Sequence, residues 1–333
     1  MTSPINRRQM LAGAAAVSAA AATQTGSAAA QDPVRSLEGR SILITGCSSG
    51  FGRLMAEHFA EEGAKVFATM RNVPRPEAEE LKDFASDKGV DLTVLEIDVT
   101  SDRQVAKATK KALKAAGGHI EVLVNNAGIS YAGPVEMQDM KATEHMFQTN
   151  VYGPHRLARA LLPAMREKRS GLIVQISSQL GRVIVPAYGQ YSPTKFALEA
   201  MSEGMAYEVA PFGIDVNIIE PGGYPTKIWE NSDARTESLL NRVPGDQQKA
   251  YGEMLAWVRQ AGAAPRNTDP MDIPRAVAEI IRMPAGQRPL RTPVHPGPKP
   301  QAAINEVSKQ TQLALMERAG MAEIGKTAYG VKA

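Results

Sequence analysis

From Arg40 onward the chain repeats one unit, a short apolar run followed by a longer amphipathic one, and this alternation constrains the fold more than any other feature. Ser41-Ile42-Leu43-Ile44 reads as a buried strand, and Phe51 to Glu62 as a helix closed by Gly63, with Leu54, Phe59 and the intervening alanines on its packing side. Val66 to Thr69 is the second strand and Leu92 to Ile97 the third, with a polar helix from about Pro76 between them. Glu121 to Val124, Gly171 to Ile176 and Ile214 to Ile219 extend the series, with long helices expected over Met137–Lys168 and Tyr191–Ala210. The predicted fold class is α/β, a doubly wound parallel sheet of the Rossmann type built from right-handed βαβ units.

Beyond Thr226 the alternation stops. Lys227 to Pro265 mixes polar residues with Trp229, Leu239, Leu240, Tyr251, Met254, Leu255 and Trp257, which predicts a helical lid. A further helix is expected over Asp272–Arg282, an edge strand over Leu290–Val294, where proline is tolerated, and a helical tail from about Ala302 to Ala319. No internal repeat or linker interrupts residues 36 to 320, so one domain over 36–333 is expected, with its lid at about 227–265 and its tail at about 300–333.

The first 35 residues differ in kind. A polar start, Arg7-Arg8 and a weakly apolar alanine run from Met10 to Ala22 precede Ala28-Ala29-Ala30, an AxA cleavage context before Gln31. The run is too short and too rich in small residues to span a membrane. Arg7-Arg8 followed by Gln9, Met10 and Leu11 resembles a twin-arginine export signal, which implies a periplasmic or otherwise exported protein. The alternative is an alanine-rich arm on a cytoplasmic protein.

With 43% hydrophobic residues, 22% charged residues and a net charge of +3, the chain is globular and offers no basis for nucleic acid or membrane-surface partners. No transmembrane segment is expected. Cys47 is the one cysteine, so no intramolecular disulfide forms, and the five histidines have no metal-ligand spacing; no metal is expected.

The stretch TGCSSGFG, Thr45 to Gly52, lies between the first strand and the first helix. In that position its backbone N–H groups and the helix N-terminus favour a pyrophosphate. Gly46 permits the tight turn, Gly50 a close approach of the backbone, and Gly52 close packing of helix on sheet. Glycines at a strand-to-helix turn also occur without any ligand. After the second strand, where a carboxylate would accept the ribose hydroxyls of an unphosphorylated dinucleotide, the chain has Arg71, a fork suited to phosphate or a solvated surface side chain.

Tyr191 and Lys195, four apart at the start of a helix, share one face, and Pro193 is tolerated there because the first turn has no bonded N–H to lose. Ser178 precedes Tyr191 by thirteen residues at the end of a buried strand, with Gly181 closing the turn. TGxxxGxG followed by Asp98, Asn125-Asn126-Ala127-Gly128, Asn150, Ser178, Tyr191 with Lys195, and Pro221-Gly222 with Thr226 resembles the short-chain dehydrogenase/reductase family across residues 39 to about 300. Phrases such as ATMRN, QTNVYGP and RTPVHPG resemble its hydroxysteroid- and retinol-dehydrogenase-like branch.

The resemblance implies a cofactor site made by Gly46, Ser48, Ser49, Gly50, Phe51, Gly52, Arg71, Asp98, Val99, Asn125, Ala127, Gly128, Tyr191, Lys195, Pro221, Gly222 and Thr226, with NADP(H) preferred over NAD(H) through Arg71. Asp98 would hold the adenine amino group and Thr226 the nicotinamide carboxamide, a role compatible with capping the lid helix. Tyr191 would be the general acid/base, Lys195 would lower its pKa and hold the ribose, Ser178 would stabilise the substrate oxygen, and Asn150, a poor helix former in mid-helix, would hold a proton-relay water or else mark a local helix kink. Tyr131, Tyr188 and Tyr224 lack a lysine partner and are expected as pocket walls; Cys47, in a variable loop position, is either a small filler or a redox group. The function expected is hydride transfer between NADP(H) and a small hydrophobic alcohol or its ketone or aldehyde, by a homodimer or homotetramer. The alternatives are an epimerase or dehydratase of the same family, or a nucleotide-binding protein without turnover.

Overall fold

A computed structural model describes residues 36–331; the expected export signal and its cleavage context lie outside the described residues. Seven parallel strands form one sheet: β1 (Ser41–Thr45), β2 (Lys65–Met70), β3 (Leu92–Glu96), β4 (Val122–Asn125), β5 (Gly171–Ile176), β6 (Ile214–Pro221) and β7 (Arg291–Val294), in the order β3-β2-β1-β4-β5-β6-β7. Each parallel pair needs a crossover, and the crossovers cover both faces. Ile42, Ile44, Val66, Ala68, Val122, Val124, Leu172 and Val174 point to one layer, under α1 (Gly50–Glu61), α2 (Pro76–Lys88) and the α10 helix described below. The residues between them, Leu43, Phe67, Leu123 and Ile173, point to the other, against α3 (Asp102–Ala115) and its neighbours. A strand period of two inside continuous apolar runs therefore supplies two cores from the same strands.

The helix expected over Met137–Lys168 is three pieces: α4 (Met140–Phe147), a π turn (Gln148–Tyr152) and α5 (Gly153–Lys168). The reason is chemical. Pro154 has no N–H to offer the carbonyl of Asn150, and the Gly153 N–H bonds five residues back, to Gln148. α6 (Tyr191–Val209) follows β5, and Leu198 and Met205 anchor it.

The lid comprises α7 (Ile228–Leu240), α8 (Gly245–Ala250) and α9 (Gly252–Ala263). It is fastened to the segment before α4 by Arg242 on Asp139 (2.6 and 3.2 Å) and by Tyr251 on Glu136 (2.6 Å). α10 (Asp272–Arg282) returns to the core, and the edge strand β7 carries Pro293 as edge strands tolerate. α11 (Gln301–Arg318) matches the expected tail. A second short helix, α12 (Ala322–Ala328), was not expected; it seats Ala328 and Tyr329 in the core, with the Tyr329 hydroxyl on Glu203 at 2.7 Å. No helix among the described residues is long and apolar enough to cross a membrane.

Candidate active site

The strand order reverses at β1, whose two neighbours, β2 and β4, are reached by crossovers in opposite directions; the crevice beyond its carboxyl end is where ligands bind in such sheets. A cavity of about 460 Å³ opens there, lined among others by Gly46, Ser48, Ser49, Gly50, Phe51, Asn126, Ala127 and Gly128. Gly46 and Gly50 have φ of +76° and +57°, where side chains are strained. A Cβ on Gly52 would lie 2.4 Å from both the Gly46 carbonyl and the Asn126 amide, so only glycine lets α1 sit this close. Gly52 itself supports the loop without lining the cavity. The first turn of α1 carries no acidic residue, so its free N–H groups face the cavity without a competing charge, and the cradle fits a pyrophosphate.

The Thr45 hydroxyl accepts from the backbone N–H of Asn126 and of Ala127, both at 3.0 Å, while the Asn126 amide donates to the carbonyls of Thr45 (2.8 Å) and Gly46 (3.3 Å). Asn125, expected in the dinucleotide path, is buried in β4 and does not line the cavity; Asn126 does. Arg71, Asp98 and Val99 also line the cavity, and Arg75 joins them, held by Glu77 through bonds of 2.8 and 2.9 Å. Asp98 is oriented by the N–H and hydroxyl of Thr100, at 2.9 and 2.7 Å.

At the inner end Ser178, Tyr191 and Lys195 converge on the cavity. The Lys195 ammonium donates to the Ile176 carbonyl at 2.9 Å and lies 5.7 Å from the centre of the Tyr191 ring. Burial pushes the Tyr191 phenol up to about 12, a hydrogen bond from Ser178 acting the other way, and burial pushes Lys195 down to about 8, opposed by the Glu199 carboxylate. At neutral pH Tyr191 is thus a protonated phenol and Lys195 still carries charge.

Asn150 does not line the cavity. Its amide oxygen accepts from Ile129 N–H at 2.9 Å, and its nitrogen donates to the Ile129 carbonyl (2.9 Å) and to the Thr194 hydroxyl (3.0 Å), bracing the loop after β4 against α6. The group that Pro154 leaves without an α-helical donor is the Asn150 main-chain carbonyl.

The model of the family described as short chain dehydrogenase matches residues 40–237. The chain belongs to the short-chain dehydrogenase family. It is 40% identical over 192 residues to retinol dehydrogenase 8 of Homo sapiens, covering 56% of this chain and 60% of that one. To the mitochondrial D-beta-hydroxybutyrate dehydrogenase of Mus musculus it is 35% identical over 223 residues, 64% of each chain. The match thus spans less than two thirds of these relatives' length. A solved short-chain dehydrogenase from Streptomyces avermitilis is 32% identical with a TM-score of 0.65, covering 84% of this chain and 97% of that one. Both of these relatives are dehydrogenases by name.

Pro221, Gly222 and Thr226 complete the cavity on the side toward the lid. A Cβ on Gly222 would lie 2.5 Å from the His295 ring, which explains the glycine. The cap position of α7 falls on Lys227, and Thr226 offers only its carbonyl, to the Trp229 N–H at 3.3 Å. Of the tyrosines expected as walls, Tyr188 and Tyr224 line the cavity, whereas Tyr131 is buried beside it with its hydroxyl 2.8 Å from His145 Nδ1. Cys47 is fully buried and burial pushes its thiol up to about 12, the state of a small filler rather than a reactive thiolate.

Sequence reasoning missed Glu199, one turn beyond Lys195. It is 1% exposed, accepts from the Ser177 hydroxyl at 2.8 Å, and pairs with Arg291 of β7 at 2.9 Å. The tyrosine, lysine and glutamate recur every four residues on a buried face, and that spacing was the available signal.

The burial of Lys195 has a stability consequence. Between pH 8 and 10.5 the unfolded chain keeps this lysine protonated while the folded chain releases the proton, so raising the pH across that window stabilises the fold. We expect urea unfolding to show wild-type stability gaining on Lys195→Met by up to about 1.4 kcal/mol per pH unit from pH 8 to 10. Parallel pH dependences would show that Lys195 titrates normally.

Proposed function

We propose that the chain is an NADP(H)-dependent oxidoreductase that interconverts a hydrophobic alcohol and its ketone or aldehyde, with Tyr191 as general acid/base. The observation that carries this reading is the convergence of Ser178, Tyr191 and Lys195 at the buried end of a glycine-lined crevice. NADP(H), when bound, supplies or takes up the hydride. The loop from Gly46 to Gly52 would hold its pyrophosphate, Arg71 its 2′-phosphate, and Gly222 and Thr226 its nicotinamide end.

Tyr191 donates its phenolic proton to the carbonyl oxygen in reduction and takes it back in oxidation. Ser178 donates a hydrogen bond to the same oxygen as negative charge develops. Lys195 spends one N–H on Ile176, which leaves two for the nicotinamide ribose, and its positive charge favours the tyrosinate needed for oxidation. Trp229, Trp257, Ile228 and Leu180 give the wall an apolar part, which supports a hydrophobic substrate. Both named relatives are alcohol-oxidising by name, one of a retinoid and one of a hydroxy acid.

Tyr191→Phe is expected to reduce turnover about 10²- to 10⁴-fold on any accepted ketone or aldehyde while NADPH still binds by fluorescence titration; undiminished turnover would sink the assignment. Because burial holds the phenol protonated, alcohol oxidation should accelerate from pH 7 to 8, while Lys195 keeps its charge, and carbonyl reduction should not. Arg71→Asp should move the preference from NADPH toward NADH, and an unaltered ratio would remove Arg71 from the site. Export along the twin-arginine route is proposed on Arg7-Arg8 and the alanine run alone. Fractionation that finds the full-length protein only in the cytoplasm would refute it.

A further inference from the structure

Arg235 reaches the cavity from the lid, on α7, and lines it together with Arg71, Asp98 and Val99. It is half-buried, and its one hydrogen bond among the described residues runs to the Asn231 carbonyl, 2.9 Å away and one turn back on its own helix. No carboxylate among the described residues forms an ion pair with it, and none does so with Arg71. Arg75, at the same end, is already neutralised by Glu77, and Asp98 spends one oxygen on Thr100. Two guanidinium groups thus line one cavity without an ion-pair partner. Burial holds the Arg235 guanidinium below the usual arginine range, the Tyr131 phenol opposing and the charge of Arg71 adding to the shift.

The position of Arg235 is fixed by its neighbours. The Thr236 hydroxyl accepts from the Ala132 N–H at 2.9 Å, and Leu239, one turn on, is buried against the cluster that holds Ile129, Tyr131 and Tyr191. A partly desolvated cation held in place opposite a second cation is unfavourable unless an anion completes the site. Both side chains are planar forks that grip phosphate oxygens in pairs.

We propose that Arg235 is a second phosphate-binding residue, which with Arg71 clamps the 2′-phosphate of NADP(H) between lid and sheet, so that the phosphorylated dinucleotide latches the lid. This rests on the NADP(H) reading above and extends it: cofactor choice is made by the lid as well as by the end of β2. Arg71 belongs to the sheet and Arg235 to the lid, so an anion held by both ties the two together, and losing either fork removes part of the value of the other.

The test uses the full chain and its two tryptophans, Trp229 and Trp257, both of which lie in the lid. Wild type, Arg235→Gln and Arg235→Lys are titrated with NADPH, NADH, 2′,5′-ADP and 5′-ADP, following tryptophan fluorescence, with hydrogen exchange over residues 227–263 as a second readout. Arg235→Gln should weaken NADPH and 2′,5′-ADP by about 10- to 100-fold and leave NADH and 5′-ADP within about twofold of wild type. Arg235→Lys should recover part of the loss, and 2′,5′-ADP should slow lid exchange in wild type but not in Arg235→Gln. Equal weakening of all four ligands, or of none, in a wild type that prefers NADPH overturns this inference alone. A wild type that binds NADH more tightly than NADPH overturns the cofactor reading, and this inference with it.

Discussion

Seven strands that all run one way leave all their carboxyl ends on a single rim, and every candidate site residue depends on that constraint. Gly46 follows β1, Arg71 follows β2, Asp98 lies just past β3, Asn126 follows β4, Ser178 lies just past β5, and Gly222 follows β6. Residues separated by up to 176 positions become neighbours because the sheet, and not their own loops, sets their height. The two central strand ends are further locked by side chains: Thr45 receives two N–H groups from the β4 loop, and Asn126 returns its amide to the β1 loop. Gly52 is the condition for that exchange, since a side chain there would occupy the space of the Asn126 amide.

On the other side of the crevice α6 docks on the end of β5 turn by turn. Tyr191 meets Ser178, Lys195 meets the Ile176 carbonyl, and Glu199 meets Ser177, so three successive turns of one helix face are matched to three consecutive residues. The third contact is backed by a buried charge network. Arg291 pairs with Glu199 at 2.9 Å and Glu203 at 2.7 Å and lies 3.7 Å from Glu220, whose other oxygen accepts from Asn305 of α11. Breaking such a network leaves buried carboxylates uncompensated. Here its members come from α6, β6, β7 and α11, which makes the C-terminal part of the chain a support for the candidate tyrosine and lysine rather than an appendage.

The sheet was legible in the sequence because continuous apolar runs bounded by turns have few alternative readings, and the glycine loop and the Tyr191–Lys195 pair were legible because their spacing is local. What was not legible depended on contacts made across the fold. The break at Asn150 was open in the sequence as a helix kink, and what fixed it was Pro154, at the one offset that deprives the Asn150 carbonyl of a donor. Which of Asn125 and Asn126 faces the cavity turns on where β4 ends, since adjacent strand residues point opposite ways. α12 has a weak apolar pattern of its own and is held by Tyr329 on Glu203, a contact of long sequence separation. The partner of Glu199 is Arg291, 92 positions on, which only the placement of β7 brings to it.

The lid shows how a segment without a sharp motif still acquires a defined role. Most of the apolar residues that marked it as a lid do not face the cavity: Leu239 joins the cluster around Tyr191 and Ile129, and Leu240 and Leu255 pack with Met137. They hold the helices down. The residues left lining the cavity combine apolar Ile228, Trp229, Trp257 and Ala261 with polar Asn231 and Ser232 and the cations Lys227 and Arg235, and the Arg266 guanidinium stacks 3.5 Å over Trp229. Because α7 is pinned at Thr236 to the loop after β4, its polar and apolar inward positions are fixed relative to the crevice below. One helix, α7, therefore brings the Arg235 cation and the apolar Ile228 and Trp229 to the same cavity as Arg71, Asp98 and Tyr191, and the Thr236 contact holds them there together.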